Sequence, residues 1–96
     1  MKDARAGTPY KTLASDKATL VVAECIQFGW QDESVFGVDA GGFKEPNGPG
    51  GFTVYTTGGD YFVDVQSAGA GATVKYYAVD DNMPAKRRLA ALATCL

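Results

Sequence analysis

The sequence predicts an α+β fold. The expected architecture is a two-layer sandwich in the order helix, antiparallel three- or four-stranded meander, helix, with both helices on one sheet face. Three observations predict it. Apolar residues recur at helical spacing over 17–31 and again over 85–96, and between them strand-like alternation flanks a Gly58-Gly59 hairpin signal. The 96 residues fit one domain, expected over 15–96, preceded by a flexible tail or tether over 1–14.

In the tail, Gly7, Thr8 and Pro9 break any helical period. Ser15 or Asp16 offers an N-cap for the first helix. Ala18, Val22, Cys25, Ile26 and Gly29 form its apolar stripe, which Val21 and Phe28 widen. Phe28 and Trp30 are expected to pack beneath its C-terminal end. Ser34 to Asp39 reads as a short strand. Residues 40–51 hold five glycines and two prolines and read as a long loop of low order. The loop is not a phosphate cradle, because the strand-like Phe52-Thr53-Val54 follows it instead of a lysine, a hydroxyl residue and a helix.

The Gly58-Gly59 loop sets the register of the next hairpin, since both positions accept positive φ. Thr57 then faces Asp60, Tyr55 faces Phe62, Val54 faces Val63 and Phe52 faces Val65. Phe52, Val54, Val63 and Val65 share one face, Tyr55 and Phe62 the other. A second turn is expected over Ser67–Ala72. Pairing Val65 with Val74 places Val63 opposite Tyr76, Tyr61 opposite Ala78, Asp64 opposite Lys75 and Phe62 opposite Tyr77. Asp80, Asp81 and Asn82 end the last strand and offer caps, and Pro84 suits a first helical turn. Ala85, Leu89, Leu92, Ala93 and Leu96 form the second stripe, with Lys86, Arg87 and Arg88 mostly on its outer side.

Composition removes several function classes. The chain has no histidine, which excludes Ser-His-Asp and Cys-His catalysis and any zinc site that needs imidazole. Its net charge is −2. Residues 18–85 set nine acids against Lys44 and Lys75, while residues 1–17 and 86–88 are basic. An acidic body argues against nucleic acid as partner. No apolar run approaches a transmembrane span, and no signal peptide is present, so the chain is either cytosolic or a mature domain.

Cys25 falls late in the first helix and Cys95 at the end of the second. Helices on one sheet face can bring them together, and a bridge implies an oxidising compartment. The alternative is two buried free thiols. The helix carrying Ala23-Glu24-Cys25-Ile26 and Trp30, the Gly-rich hairpin, Val74-Lys75-Tyr76-Tyr77 and a terminal helix ending in Cys95 together resemble uncharacterised small bacterial lipoproteins and periplasmic proteins. The resemblance covers about residues 18–96. It implies a compact disulfide-bonded domain on a tether, with the lipid-accepting cysteine upstream, since residues 1–14 contain none. It brings no catalytic residues. The order of elements is also similar to the helix-grip arrangement of some envelope-assembly lipoprotein domains.

No residue pattern points to an enzyme, a cofactor or a metal. Asp60 and Asp64 lie roughly 13 Å apart along a strand, too far for a carboxylate pair acting on one bond. Asp80, Asp81 and Asn82 lack the loop pattern of a calcium site. Lys86 to Arg88 reads as a solvated helix face. The feature with functional content is the second sheet face, with Tyr55, Phe62, Lys75 and Tyr77 as candidate binding residues beside Asp64. It is expected either to be open, with a protein partner or a second copy of the chain as its occupant, or to be covered by the first helix, the N-terminal tail or the Gly-rich loop. The expected role is a non-enzymatic bacterial envelope domain, periplasmic or held at the outer membrane by a lipid anchor. The alternatives are a small apolar ligand bound near Trp30, or a cytosolic inhibitor or immunity partner.

Overall fold

The computed structural model describes residue 5 and residues 7–33, 42–56, 59, 61–79 and 81–96, with the side chains of residues 32 and 33 left aside. The elements are β1 (Lys11–Ser15), α1 (Thr19–Glu33), β2 (Phe43–Pro46), β3 (Phe52–Tyr55), β4 (Tyr61–Ala68), β5 (Gly71–Ala78) and α2 (Met83–Ala93). The class is α+β, with two helices and a five-stranded antiparallel sheet in the order β1-β5-β4-β3-β2.

That order corrects the simple meander. β2 to β5 are successive neighbours, but the first strand in the chain closes the far edge beside β5. Residues 11–14 therefore belong to the sheet and not to a tail. Lys11 to Ser15 pair with Tyr76 to Ala72, and Leu13 sits opposite Val74 at the core side. Gly71 makes the approach of β1 possible, because a Cβ there would run into the Ser15 carbonyl oxygen. The Ser15 hydroxyl accepts from the Lys17 N–H and donates to the Leu96 carbonyl, so Ser15 ends β1 and does not cap α1.

The inner hairpins follow the register expected from the turns. Phe52 pairs with Val65, Val54 with Val63 and Tyr55 with Phe62. Val65 pairs with Val74, Asp64 with Lys75, Val63 with Tyr76, Phe62 with Tyr77 and Tyr61 with Ala78. Between β3 and β4, the Thr56 N–H donates to Tyr61 O, and Gly59 has φ +74°. The expected Thr57–Asp60 pair lies outside the described residues, as does the strand expected over 34–39. The β4–β5 turn is tighter than expected. Strand pairing runs on to Ala68 and Gly71, leaving Gly69 and Ala70, with Gly69 at φ +60°. The supposed loop over 40–51 contains β2, paired with β3 from Phe43–Tyr55 to Pro46–Phe52. A turn through Asn47–Gly51 closes that hairpin, with the Asn47 N–H on Gly51 O.

Alternation along the strands sends Val54, Val63, Val65, Val74 and Tyr76 into one buried cluster. Val22, Ala23, Ile26 and Trp30 of α1 meet them there, with Leu92 of α2 and Cys95. The buried stripe of α1 is rotated from the expected one. Val21, Cys25 and Phe28, at i, i+4 and i+7, lie on the exposed flank instead. Trp30 is fully buried, its indole N–H donating to Arg88 O and its ring 6.1 Å edge-on from Tyr76. Asn82 caps α2 by accepting from the Ala85 N–H at 3.0 Å. Arg88 is not on the outer face: it is 1 % exposed, its guanidinium carbon 5.4 Å from the Trp30 ring and 5.3 Å from that of Tyr61.

Cys25 and Cys95 are bonded, with Cα atoms 5.7 Å apart across 70 residues of sequence. The bridge ties α1 to the end of α2 and points to an oxidising, extracytoplasmic environment. Among the described residues, no helix is long and apolar enough to cross a membrane.

Candidate functional site on the second sheet face

Strand parity places Thr53 and Tyr55 of β3, Phe62 and Asp64 of β4, and Lys75 and Tyr77 of β5 on the face turned away from the helices. β2 adds Phe43, opposite Tyr55, and Glu45, opposite Thr53. Two rows result. One is aromatic: Phe43 stacks on Tyr55 with ring centres 5.5 Å apart, and Phe62 stacks on Tyr77 at 4.7 Å. The other is polar: Glu45, Thr53, Asp64 and Lys75.

The four sequence-derived residues do share this face, but it is not open throughout. Phe62 is 1 % exposed and Tyr77 7 %, whereas Tyr55 is half-buried and Lys75 exposed. Arg5 closes it. Its Nε donates to Asp64 Oδ2 at 2.7 Å and its Nη2 to Asp64 Oδ1 at 2.8 Å. Nη2 also donates to Thr53 Oγ1 at 2.8 Å, and the guanidinium carbon lies 5.2 Å from the centre of the Phe62 ring. The cross-strand neighbour Lys75 is therefore not the ionic partner of Asp64.

The groups that receive Arg5 are bonded to one another. The Thr53 hydroxyl donates to Asp64 Oδ1 at 2.8 Å. From the β2–β3 turn, the Asn47 amide donates to Thr53 Oγ1 at 3.1 Å and to Asp64 Oδ1 at 3.3 Å. Gln66 holds that turn by donating from Nε2 to Asn47 O. Thr53 is fully buried and Asp64 is 7 % exposed, so the carboxylate sits in a largely dehydrated setting where a charged partner counts. The hydrogen bond that Arg5 donates to Asp64 raises the Arg5 pKa further above its already high ordinary value, and Glu45 adds to the field. Burial lifts the Tyr77 hydroxyl above the usual tyrosine range. The Asp64 carboxylate adds to that lift and Arg5 opposes it.

Arg5, Asn47, Thr53, Phe43 and Glu45 were not among the sequence candidates. Register alone puts Thr53 beside Asp64, because the hairpin parity that pairs Tyr55 with Phe62 also pairs these two. Nothing in local sequence links Arg5 to a strand 59 residues away. Of the remaining candidates, Asn82 caps α2 and Asp81 accepts from the Tyr10 hydroxyl at 2.6 Å, while Asp60 and Asp80 lie outside the described residues. No protein-family model, curated protein or solved structure matches this chain.

Proposed function

We propose that the chain is a non-enzymatic interaction domain of the bacterial cell envelope that docks a protein partner, or a second copy of itself, on the second sheet face. The observation that carries the reading is the make-up of that face. An aromatic row from Phe43 to Tyr77 runs beside a dehydrated acidic cluster that already holds a side chain from outside the five strands. Aromatic residues joined to a few fixed polar groups are the usual composition of an interface centre. Tyr55 and Lys75 offer the first contacts, and displacement of Arg5 frees the face of the Phe62 ring on which its guanidinium lies. The disulfide supports an extracytoplasmic setting. Within it we favour the periplasm, with a lipidated tether ahead of residue 1, as the resemblance to small lipoproteins implies.

A photo-crosslinking residue at Lys75, compared with one at the exposed Lys86 of α2, tests the surface in chain exported to a bacterial periplasm. Adducts of defined mass from position 75 and not from position 86 are expected. No adduct at 75, or equal adducts at both, would sink the assignment.

A further inference from the structure

The second sheet face holds a complete receiving site for one kind of side chain. A guanidinium meets a carboxylate with two parallel hydrogen bonds, a geometry that an ammonium does not reproduce. Asp64 supplies both oxygens, to Arg5 Nε and Nη2. Thr53 Oγ1 takes a further bond from Nη2, and the Phe62 ring lies beneath the guanidinium plane's carbon. The receiving half is built into the sheet: Thr53 and Phe62 are essentially fully buried, and Asp64 nearly so. Thr53 and Asn47 are bonded to Asp64 independently of Arg5, so the site is organised ahead of its occupant. The occupant is different in kind. The Arg5 side chain keeps 34 % of its exposure and comes from the segment ahead of β1, not from the sheet itself.

We propose that Asp64, Thr53, Asn47 and Phe62 form an arginine-binding site, and that Arg5 occupies it in competition with an arginine carried by a docking protein segment. This inference rests on the reading of the face as a docking surface and names the chemistry recognised there. An incoming arginine restores every bond that Arg5 gives up, so the exchange leaves no dehydrated carboxylate unpaired. An incoming lysine restores the charge but not the fork. Arg5 lowers the apparent affinity for the incoming segment by the fraction of time it fills the site.

The test uses the full chain carrying Arg5→Ala, with Arg5→Gln as a second variant that keeps a polar side chain without the guanidinium charge. Each is titrated with the capped tetrapeptide Ala-Arg-Ala-Gly, the sequence of residues 4–7, and with its lysine counterpart. Backbone amide shifts at Thr53, Phe62 and Asp64 report binding. Saturable shifts with the arginine peptide are expected, with roughly tenfold weaker binding of the lysine peptide. Binding should be weaker in the unsubstituted chain, where Arg5 competes, and lost when Asp64→Asn is added. The proposal is overturned if neither variant responds up to about 10 mM peptide, if lysine binds as well as arginine, or if Asp64→Asn changes nothing. Loss of peptide binding while the position-75 adducts persist removes the arginine site and leaves the docking surface. Loss of both removes the docking surface too.

Discussion

Reduction of the Cys25–Cys95 bridge should cost this domain a large part of its stability. The bridge closes 70 residues of chain, and on the loop-entropy relation a closed loop of that length is worth about 4 kcal/mol. A domain of this size has a total stability of about 5–15 kcal/mol, so the bridge supplies a substantial share. The loss converts to a fall in Tm of about 15–30 °C for a chain of fewer than 100 residues. The position of the bridge supports the full figure. It joins α1 to the end of α2, and Cys25 stands on the exposed flank of α1, where a reductant can reach it. Calorimetry with and without reductant, and on the Cys25→Ala/Cys95→Ala pair, measures the effect. A Tm fall below about 5 °C in both would contradict this share, because the remaining core would then hold the helices together by itself.

Two further perturbations probe the sheet. Gly71→Ala places a Cβ against the Ser15 carbonyl and should push β1 off the sheet edge, at a cost of about 1–3 kcal/mol in urea unfolding. Gly29→Ala, in open space on α1, should instead gain about 0.5–1 kcal/mol, and a reversal of the two signs would contradict the placement of β1. Stability should also fall at alkaline pH. Tyr77, through burial, and Tyr10, through its bond to Asp81, hold their protons more tightly folded than unfolded. Their contribution is complete below the ordinary tyrosine pKa of about 10 and is lost as pH rises through the folded values. Unfolding midpoints across that range should fall, less steeply in Tyr77→Phe, and a flat profile would count against the burial of that hydroxyl.

The inner hairpins were legible because Gly58-Gly59 marks a hairpin in the sequence, and one register satisfied Val63, Val65, Phe62 and Asp64 together. β1 was not legible. Lys11-Thr12-Leu13-Ala14-Ser15 carries a single large apolar residue, and its partner β5 lies some sixty residues downstream, so only tertiary pairing reveals it. β2 was hidden by the glycines and prolines around it, of which Gly48, Pro49, Gly50 and Gly51 belong to its turn and not to a disordered loop. α1 carries two adjacent apolar stripes, and spacing alone could not decide which one faces the sheet. Packing chose Val22, Ala23, Ile26 and Trp30 over Val21, Cys25 and Phe28. Arg88 defied its type, because Trp30 and Tyr61 give its guanidinium aromatic faces in place of water. The aromatic row of the second face was readable from strand parity, but its occupant was not. An arginine in a short segment rich in Gly, Ala and Pro carries no local sign of the carboxylate it reaches.

The bond between Arg5 and Asp64 is the point on which the account of that face turns. A double-mutant cycle with Arg5→Ala and Asp64→Asn, read by urea unfolding, measures it most directly. A coupling of about 1–2 kcal/mol is expected, above the range of exposed ion pairs, because the carboxylate is buried while the guanidinium keeps a third of its exposure. Additive effects, with a coupling within about 0.3 kcal/mol of zero, would contradict a sheet face closed by this arginine.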